Sequence, residues 1–323
     1  MDADAHPRPL ALIAGASRGL GLLIAREFGR RGHRVVITAR DAGELAAART
    51  ALLGWGAPDV TVRVCDSGDA AAVDVLVDEV ERELGPIAAT VHVAGIIQVG
   101  PMSSMTRDDF RQAVDVMLWG PINFAFAVVP RMRARGRGRF GTVTSIGGMI
   151  AVPHLWPYTT AKFGAVGFSQ GLAAELAGTG VTATTIVPGL MRTGGHLNAR
   201  FTGRQEAEYA WFAAGASMPL VSMDAERAAG RIVAAVLRGD SMVVLTPLAK
   251  VGVRVNGVAP ALTNRLMGLV GRMLPGPGGD GTTIEGRTAR SRLRSPVLNT
   301  LTRWGDRAAA RFNELPGEVA GRR

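Results

Sequence analysis

Residues 10–21 read LALIAGASRGLG, and this stretch decides the fold class. Its first five residues are apolar, as in a strand buried on both faces, and Leu20, Ile24 and Phe28 then recur at helical spacing. Three glycines fall between the strand and the helix. Glycine permits a sharp turn and a close approach to a ligand, and the free N–H groups that begin a helix attract anions. The stretch therefore predicts a strand–turn–helix unit that binds a phosphate group.

Apolar strands and amphipathic helices continue to alternate after this unit. Helices are predicted through residues 45–52 and 73–84, and strands at 35–37, 60–64, 89–94, 140–145, 181–187 and 242–245. This alternation is typical of a parallel sheet with helices on both faces. We therefore predict an α/β protein with a Rossmann fold, in which a doubly wound parallel sheet has about seven strands.

The pattern changes after residue 247. Glycine and proline cluster at 274–279, and arginines crowd residues 287–323. Before that cluster, six apolar residues recur every three or four positions and predict one helix with an apolar stripe: Val255, Val258, Leu262, Leu266, Leu269 and Met273. We interpret the stripe as a core or subunit contact, with a membrane-surface helix as the minor alternative. Residues 1–247 are thus predicted to form the nucleotide-binding domain and residues 248–323 a mainly helical C-terminal extension.

Composition narrows the class of protein. The chain has 323 residues, of which 47% are hydrophobic, and a formal net charge of +10. Its basic residues are nearly all arginine, which indicates a compositional bias, and no motif supports nucleic-acid binding. Cys65 is the only cysteine, so no intramolecular disulfide forms, and no metal site is expected. The first nine residues lack the apolar core of a signal peptide, so we expect a cytoplasmic protein.

A tyrosine and a lysine form the candidate acid–base pair. Tyr158 and Lys162 are four residues apart, which places them on one face of a helix. A lysine ammonium beside a phenol favours the phenolate and brings the tyrosine pKa down from its usual value near 10. The chain has only two tyrosines and two lysines, so a chance pairing at this spacing is improbable. Ser145 ends a predicted strand thirteen residues before Tyr158, and its hydroxyl can polarise a substrate carbonyl.

Two arginines indicate which dinucleotide is bound. A Rossmann unit that binds NAD usually has an acidic residue after its second strand, where it holds the ribose 2′-hydroxyl. Here Arg40 follows that strand, and Arg18 lies in the glycine loop. Because two guanidinium groups suit a 2′-phosphate, the sequence favours NADP(H) over NAD(H).

Taken together, these motifs resemble the short-chain dehydrogenase/reductase superfamily over about residues 9–247. The glycine loop, Cys65-Asp66, Ala94-Gly95, the serine, tyrosine and lysine, and Pro188-Gly189 with Thr193 occur in the family order. The resemblance implies that the catalytic residues are Ser145, Tyr158 and Lys162. It also implies that NADP(H) is bound by Gly15, Ser17, Arg18, Gly19, Leu20, Gly21, Arg40, Asp66, Val93, Ala94, Gly95, Tyr158, Lys162, Pro188, Gly189 and Thr193.

By the same resemblance, the reaction is hydride transfer between NADP(H) and a carbonyl or secondary alcohol. Tyr158 would exchange the proton, Ser145 would orient the substrate and Lys162 would hold the nicotinamide ribose. A small hydrophobic substrate and a homo-oligomer are expected. The substrate loop is assigned to residues 194–222, and the apolar residues on the substrate side are Met149, Ile150, Leu155, Trp156, Tyr209, Trp211, Phe212, Met218 and Leu220.

Two positions depart from the family pattern. The family sequence Asn-Asn-Ala-Gly reads His92-Val93-Ala94-Gly95 here, and Met117 stands where the family has an asparagine that holds a water of the proton relay. Asn123 is six residues further on, or about 240° around a helix, so it does not simply replace that asparagine. Met117 therefore leaves a second hypothesis open, in which the protein is a catalytically weak NADP-binding sensor or scaffold.

Overall fold

Seven parallel strands form one sheet in the computed structural model, which describes residues 8–217, 222–279, 281–293 and 295–315. The strand order is β11-β7-β6-β4-β1-β2-β3, so the chain begins in the middle of the sheet and winds outward in both directions. The sheet consists of β1 (Leu10–Ala14), β2 (Arg34–Ala39), β3 (Val60–Val64), β4 (Ile87–His92), β6 (Gly138–Val143), β7 (Val181–Val187) and β11 (Met242–Val244). Two-residue strands lie outside it: β5 (Gln98–Val99), β8 (Met191–Arg192), β9 (Arg200–Phe201), β10 (Met223–Asp224) and β12 (Ile284–Glu285).

Helices cover both faces of the sheet. The first nine are α1 (Gly19–Arg30), α2 (Ala42–Gly54), α3 (Ala70–Leu84), α4 (Arg107–Val114), α5 (Gly120–Ala134), α6 (Trp156–Glu175), α7 (Gly195–Asn198), α8 (Gln205–Ser217) and α9 (Ala225–Arg238). The last four are α10 (Pro247–Val258), α11 (Pro260–Met273), α12 (Gly286–Leu293) and α13 (Pro296–Arg311). Helices α1, α2 and α9 bury one apolar cluster against the sheet, and α3, α5 and α6 bury a second on its other face. The predicted doubly wound α/β fold is therefore confirmed.

Strand bounds follow the apolar runs of the sequence closely. The strands predicted at 10–14, 60–64 and 181–187 have those bounds in the structure. The strand predicted at 140–145 ends earlier, at Val143, because Ser145 leaves the sheet and caps a short 3₁₀ turn through its side chain. Ser145 consequently lies just beyond the carboxyl end of its strand, at the edge of the sheet where ligands bind in this fold.

The run from Arg107 to Ala134 is one nearly continuous helix. It contains a π-helical turn at Asp115–Trp119, between α4 and α5. By length and composition this run is apolar enough to span a membrane, but half of its most apolar window is buried inside the protein. Its buried side chains, such as Phe124 and Val128, pack against the sheet, which accounts for their hydrophobicity.

The predicted stripe helix at 255–273 is two helices, so that prediction was wrong in part. Ala259 separates α10 from α11 with a non-helical backbone (φ −135°, ψ 64°), and Pro260 opens α11. Proline has no N–H to donate and disfavours a helical conformation at the preceding residue, which ends α10 there. The apolar periodicity continues through this break, so spacing alone did not reveal it.

The chain after the glycine–proline cluster returns to the main body. Strand β12 pairs antiparallel with β9, and α12 and α13 pack against α8. Asn313 reaches the first glycine loop, where its side-chain amide donates to the backbone oxygen of Ser17 (2.8 Å). The arginine-rich segment therefore packs against α8 and contacts the glycine loop that precedes α1.

Candidate active site

A cleft of about 630 Å³ opens at the carboxyl ends of the central strands. It lies where the strand order reverses between β1 and β4, which is the usual ligand position in an open α/β sheet. The structure brings all of the predicted site residues to the walls of this one cleft: Gly15, Ser17, Arg18, Gly19, Leu20, Gly21, Arg40, Asp66, Val93, Ala94, Gly95, Ser145, Tyr158, Lys162, Pro188, Gly189 and Thr193.

Close backbone packing requires two of the loop glycines. Gly15 has a left-handed conformation (φ 80°), and a Cβ there would lie 2.4 Å from the backbone nitrogen of Ala94. A Cβ on Gly21 would lie 2.0 Å from the carbonyl oxygen of Gly15. Side chains at these positions would push the loop away from the sheet, so the sequence forms a cradle of bare backbone at the start of α1.

The two arginines predicted to bind the ribose 2′-phosphate, Arg18 and Arg40, have different surroundings. Arg18 Nη1 donates to Glu44 Oε1 (2.7 Å), and Ser17 Oγ donates to the other oxygen of the same carboxylate (2.8 Å). Arg40 is exposed at the cleft wall. Because Glu44 already pairs with Arg18, Arg40 is the better placed of the two guanidinium groups to meet a phosphate. The sequence reasoning missed Glu44, a carboxylate with no recognisable motif around it.

A segment from α13 onward lies against the glycine loop. The backbone N–H of Gly19, the first residue of α1, donates to the carbonyl oxygen of Phe312 (2.9 Å). The carboxylate of Glu314 accepts a hydrogen bond from the N–H of Gly194, and its Oε1 lies 2.6 Å from where a Cβ on Gly19 would stand. Glu314 therefore places a carboxylate at the amino end of α1, where backbone groups favour an anion.

Burial controls the charge of that carboxylate. It raises the pKa of Glu314 to about 7, although the Gly194 N–H and the nearby Arg18 charge both lower it. The Glu314 side chain is therefore close to half protonated near neutral pH. No sequence motif marks this residue, because its partners lie far away in the chain.

Three predicted catalytic side chains meet where β6 ends and α6 begins. Ser145 lies close enough to Tyr158 for its side chain to lower the pKa of the phenol. Lys162 lies one helical turn after Tyr158, and its Nζ is 5.8 Å from the centre of the tyrosine ring. The lysine ammonium donates to the carbonyl oxygen of Val143 at 2.7 Å. These contacts join the end of β6 and the start of α6 in a single polar cluster.

Burial dominates the protonation of this cluster. It raises the pKa of Tyr158, while the Ser145 side chain lowers it, and it lowers the pKa of Lys162 to about 7. The sequence suggested instead that Lys162 lowers the tyrosine pKa. The difference arises because burial desolvates both groups, so each one favours its neutral form.

The remaining walls of the cleft consist mainly of backbone and small side chains. Val93 donates its N–H to the carbonyl oxygen of Ala14 (2.8 Å), which fixes the segment after β4 beside β1. Asp66 is exposed and accepts from the N–H of Gly68 (3.0 Å). Gly189 packs so closely that a Cβ would lie 2.2 Å from Thr246 Oγ1. A ligand can thus approach peptide groups along much of the cleft.

Met117, which replaces the family asparagine, is buried in the π-helical turn. Its sulfur lies 3.5 Å from where a Cβ on Gly95 would stand, so it fills the space behind that cleft wall. Asn123 does not take over, since its amide donates to the backbone oxygen of Ser67 (2.9 Å). His92 faces Gly120 of α5, and burial lowers its pKa to about 3, which keeps the ring neutral.

None of the described residues predicted on the substrate side lines the cleft. Tyr209 and Phe212 belong to a buried aromatic cluster with Phe201, so they support the loop and do not line the cleft. Met218 and Leu220 lie outside the described residues. Tyr158 itself packs against the cluster that contains Leu155, Tyr209 and Phe212, and the apolar residues that line the cleft include Ile96 and Ile97.

Comparison with known proteins agrees with this geometry. The short chain dehydrogenase family model matches residues 9–201. Acetoacetyl-CoA reductase of Paracoccus denitrificans is 35% identical over 184 residues, covering 57% of this chain and 74% of that protein. The 3-oxoacyl-[acyl-carrier-protein] reductase MabA of Mycobacterium avium is 32% identical over 183 residues, covering 56% of this chain and 67% of that protein.

Among solved structures, a variant of actinorhodin polyketide ketoreductase with NADPH superposes with a TM-score of 0.66 at 26% identity. The match covers 76% of this chain and 97% of that one. The family match spans more than half of the sequence, and the fold and the order of motifs agree with it. The chain therefore belongs to the short-chain dehydrogenase family, whose members are oxidoreductases.

Proposed function

We propose that this protein is an NADP(H)-dependent reductase, or dehydrogenase in the reverse direction, that acts on the carbonyl or alcohol group of a hydrophobic substrate. One observation carries the proposal. A single cleft contains both a glycine cradle at a helix start and the Ser145–Tyr158–Lys162 cluster. The first suits a dinucleotide, and the second suits proton exchange with a substrate oxygen.

The residues present fit the proposed cofactor. Gly15 and Gly21 leave no room for a side chain, so at these two positions the backbone faces the diphosphate position. Exposed Arg40 would pair with the 2′-phosphate, and Asp66 stands where the adenine amino group is expected. Bound NADPH would supply the hydride. Glu314 disfavours a diphosphate while ionised, so we expect this carboxyl group to be protonated or withdrawn when the cofactor binds.

Three side chains would perform the proton chemistry. Tyr158 Oη would donate a proton to the carbonyl oxygen of the substrate, and the nearby Ser145 Oγ would orient that oxygen. Lys162, one turn away, would hold the ribose hydroxyls and stabilise the phenolate that remains. Reprotonation of Tyr158 would proceed without the family asparagine, because Met117 offers no proton.

The substrate is proposed to be a 3-oxoacyl thioester or a ketone of similar polarity. Acetoacetyl-CoA reductase and MabA, by their names, reduce 3-oxoacyl groups, and both are relatives at above 30% identity. Within this chain, Ile96 and Ile97 line the same cleft as Tyr158. Burying an acyl chain against these side chains would stabilise the complex by roughly 25 cal/mol per Å² of apolar surface removed from water.

Oxidation of NADPH, followed by its absorbance, tests the proposal. The purified full-length protein is given apolar ketones, aldehydes and 3-oxoacyl thioesters of increasing chain length. We expect turnover of at least one class, with NADPH preferred over NADH and kcat/KM rising with chain length. A protein that binds NADPH but reduces none of these compounds would contradict the proposal.

A second candidate function is an NADP-binding sensor with little catalysis. Two observations favour it: Met117 replaces the relay asparagine, and the Glu314 carboxylate lies in the anion position of the glycine loop. The proximity of Ser145 to Tyr158 weighs against it, because a sensor has no need of this pair. The same substrate panel separates the two functions, since a sensor would bind NADPH tightly without consuming it.

A further inference from the structure

The two helices that follow the sheet expose much of their hydrophobic surface. In α10 the exposed apolar residues are spaced three or four positions apart, so they form one stripe: Leu248, Val251, Val255 and Val258. In α11 a second stripe follows the same rule: Leu262, Leu266, Leu269, Val270 and Met273. Val258 and Met273 are the most open of them, at 89% and 86% exposure. Contiguous apolar patches of this kind mark interaction surfaces.

Another face of this helix pair, which we call the hairpin (residues 247–273), is already packed. Asn256 donates its amide to the carbonyl oxygen of Met149 (2.9 Å). A Cβ on Gly252 would lie 3.0 Å from Ile150, and one on Gly271 would lie 3.5 Å from Pro153. The hairpin is therefore held against residues 149–153, which follow Ser145 closely, and its apolar stripes face outward.

Basic residues border the stripes. Lys250, Arg254, Arg265 and Arg272 are exposed, and each lies about 100° around its helix from the centre of the stripe. The sequence has no aspartate or glutamate from residue 241 to 279. Within the described part of the chain, none of the four forms an ion pair. The exposed surface thus combines an apolar centre with an uncompensated positive border.

This charge distribution discriminates between the partners that an apolar surface can have. A second copy docked on the same face would bring two sets of four positive charges together with no carboxylate between them. An anionic lipid bilayer provides both missing parts, because its acyl region accepts the stripes and its headgroups pair with the basic border.

We propose that the hairpin docks on the surface of an anionic membrane, with its apolar stripes in the interfacial layer and its four basic residues among the headgroups. The docking does not depend on the reaction proposed above. If that reaction is also right, docking sets residues 149–153 and the neighbouring cleft close to the bilayer, from which a hydrophobic substrate can enter.

Co-sedimentation of the full-length protein with vesicles tests the docking directly. Vesicles of phosphatidylcholine alone are compared with vesicles that also contain phosphatidylglycerol, at low and high salt. We expect binding to the anionic vesicles that weakens as salt screens the charges, and little binding to the neutral ones. A protein that fails to bind anionic vesicles at low salt, or binds both kinds equally, would overturn the proposal.

Matched variants identify the surface. Val258→Asp/Met273→Asp places charges in the stripes, and its control, Leu53→Asp/Val75→Asp, makes the same change at exposed apolar residues of α2 and α3. We expect the first pair to lose at least tenfold in vesicle affinity and the control pair to bind like the parent. All four residues are exposed, so the thermal midpoint of unfolding should stay nearly unchanged.

Charge reversal provides the second comparison. Each basic residue near an anionic surface contributes about 1 kcal/mol, or roughly fivefold in affinity. We therefore expect Arg265→Glu/Arg272→Glu to lose more than tenfold, and Arg82→Glu/Arg133→Glu, on α3 and α5, to lose far less. Analytical ultracentrifugation covers the remaining possibility. The parent protein could be an oligomer that does not bind vesicles and that Val258→Asp/Met273→Asp dissociates. In that case a second copy covers the hairpin, and the membrane proposal is wrong.

Discussion

Removing one hydroxyl group from Tyr158 should abolish turnover while leaving the cleft intact. In Tyr158→Phe the ring remains, and the proton that would pass to the substrate oxygen is lost. Positioned proton transfer contributes about 10²–10⁴-fold to a rate, or roughly 3–5 kcal/mol of barrier. We expect kcat to fall by at least a hundredfold, and NADPH affinity to change little because the phenol is not proposed to contact the phosphates.

The other tyrosine of the chain offers a matched control. Tyr209 is buried in an aromatic cluster, and its hydroxyl has no hydrogen-bond partner within the described residues. Tyr209→Phe removes the same atom without breaking a hydrogen bond there, so activity should be unchanged and stability equal or higher. Tyr158→Phe loses the interaction with the Ser145 side chain and should reduce the unfolding free energy by no more than about 1 kcal/mol.

Three measurements evaluate this pair of variants: steady-state NADPH oxidation on a substrate of the parent, NADPH binding by fluorescence, and urea denaturation. The reasoning fails if Tyr158→Phe keeps most of the parent activity. It also fails if Tyr209→Phe loses as much activity as Tyr158→Phe, since the two losses would then reflect a general disturbance of the fold.

Three further outcomes are expected. Arg40→Asp should erase or reverse a preference for NADPH over NADH, at a cost of roughly 1.5–3 kcal/mol in NADPH binding; equal affinities of the parent for both cofactors would contradict this. Met117→Asn should leave the enzyme active or raise kcat, since it restores a water-holding amide; a parent without activity that gains it through this change would instead favour the sensor. The pKa of Glu314 is about 7 in the folded protein, above the reference value of 4.5. The contribution of this carboxyl group to the unfolding free energy is therefore complete below pH 4.5 and is lost as pH rises towards 7. Glu314→Gln should remove this loss, which amounts to about 3 kcal/mol, and an unchanged slope of the unfolding free energy with pH would show that the carboxyl group is not buried in solution.

The sheet was predictable because its signal is local. Leu10–Ala14 is a continuous apolar run that the sheet buries completely, and the glycine loop follows it directly. The pairing of Tyr158 with Lys162 was visible from helical spacing alone. Each of these features depends on neighbours within about one turn or one strand of the same segment.

Other features depend on contacts between distant segments, which spacing does not reveal. Tyr209 and Phe212 were assigned to the substrate side, yet they pack against Phe201 in the core. Nothing near Glu314 indicates that its carboxylate reaches the first helix. The tyrosine pKa was misjudged for a similar reason, because the burial that raises it depends on how the whole fold packs.

The contact between the glycine loop and residues 312–314 has a consequence for biosynthesis. Asn313 and Ser17, joined by a hydrogen bond, are separated by 296 residues. At about 5–20 residues per second on a ribosome, the loop waits roughly 15–60 s for its last partners. The central strands can assemble during that interval, since all of them precede residue 245. Throughout it, the amino end of α1 is free of the Phe312 carbonyl and the Glu314 carboxylate. A nascent chain would therefore be able to capture a dinucleotide before its own C-terminal segment arrives, and the cofactor could act as a template for the final folding step.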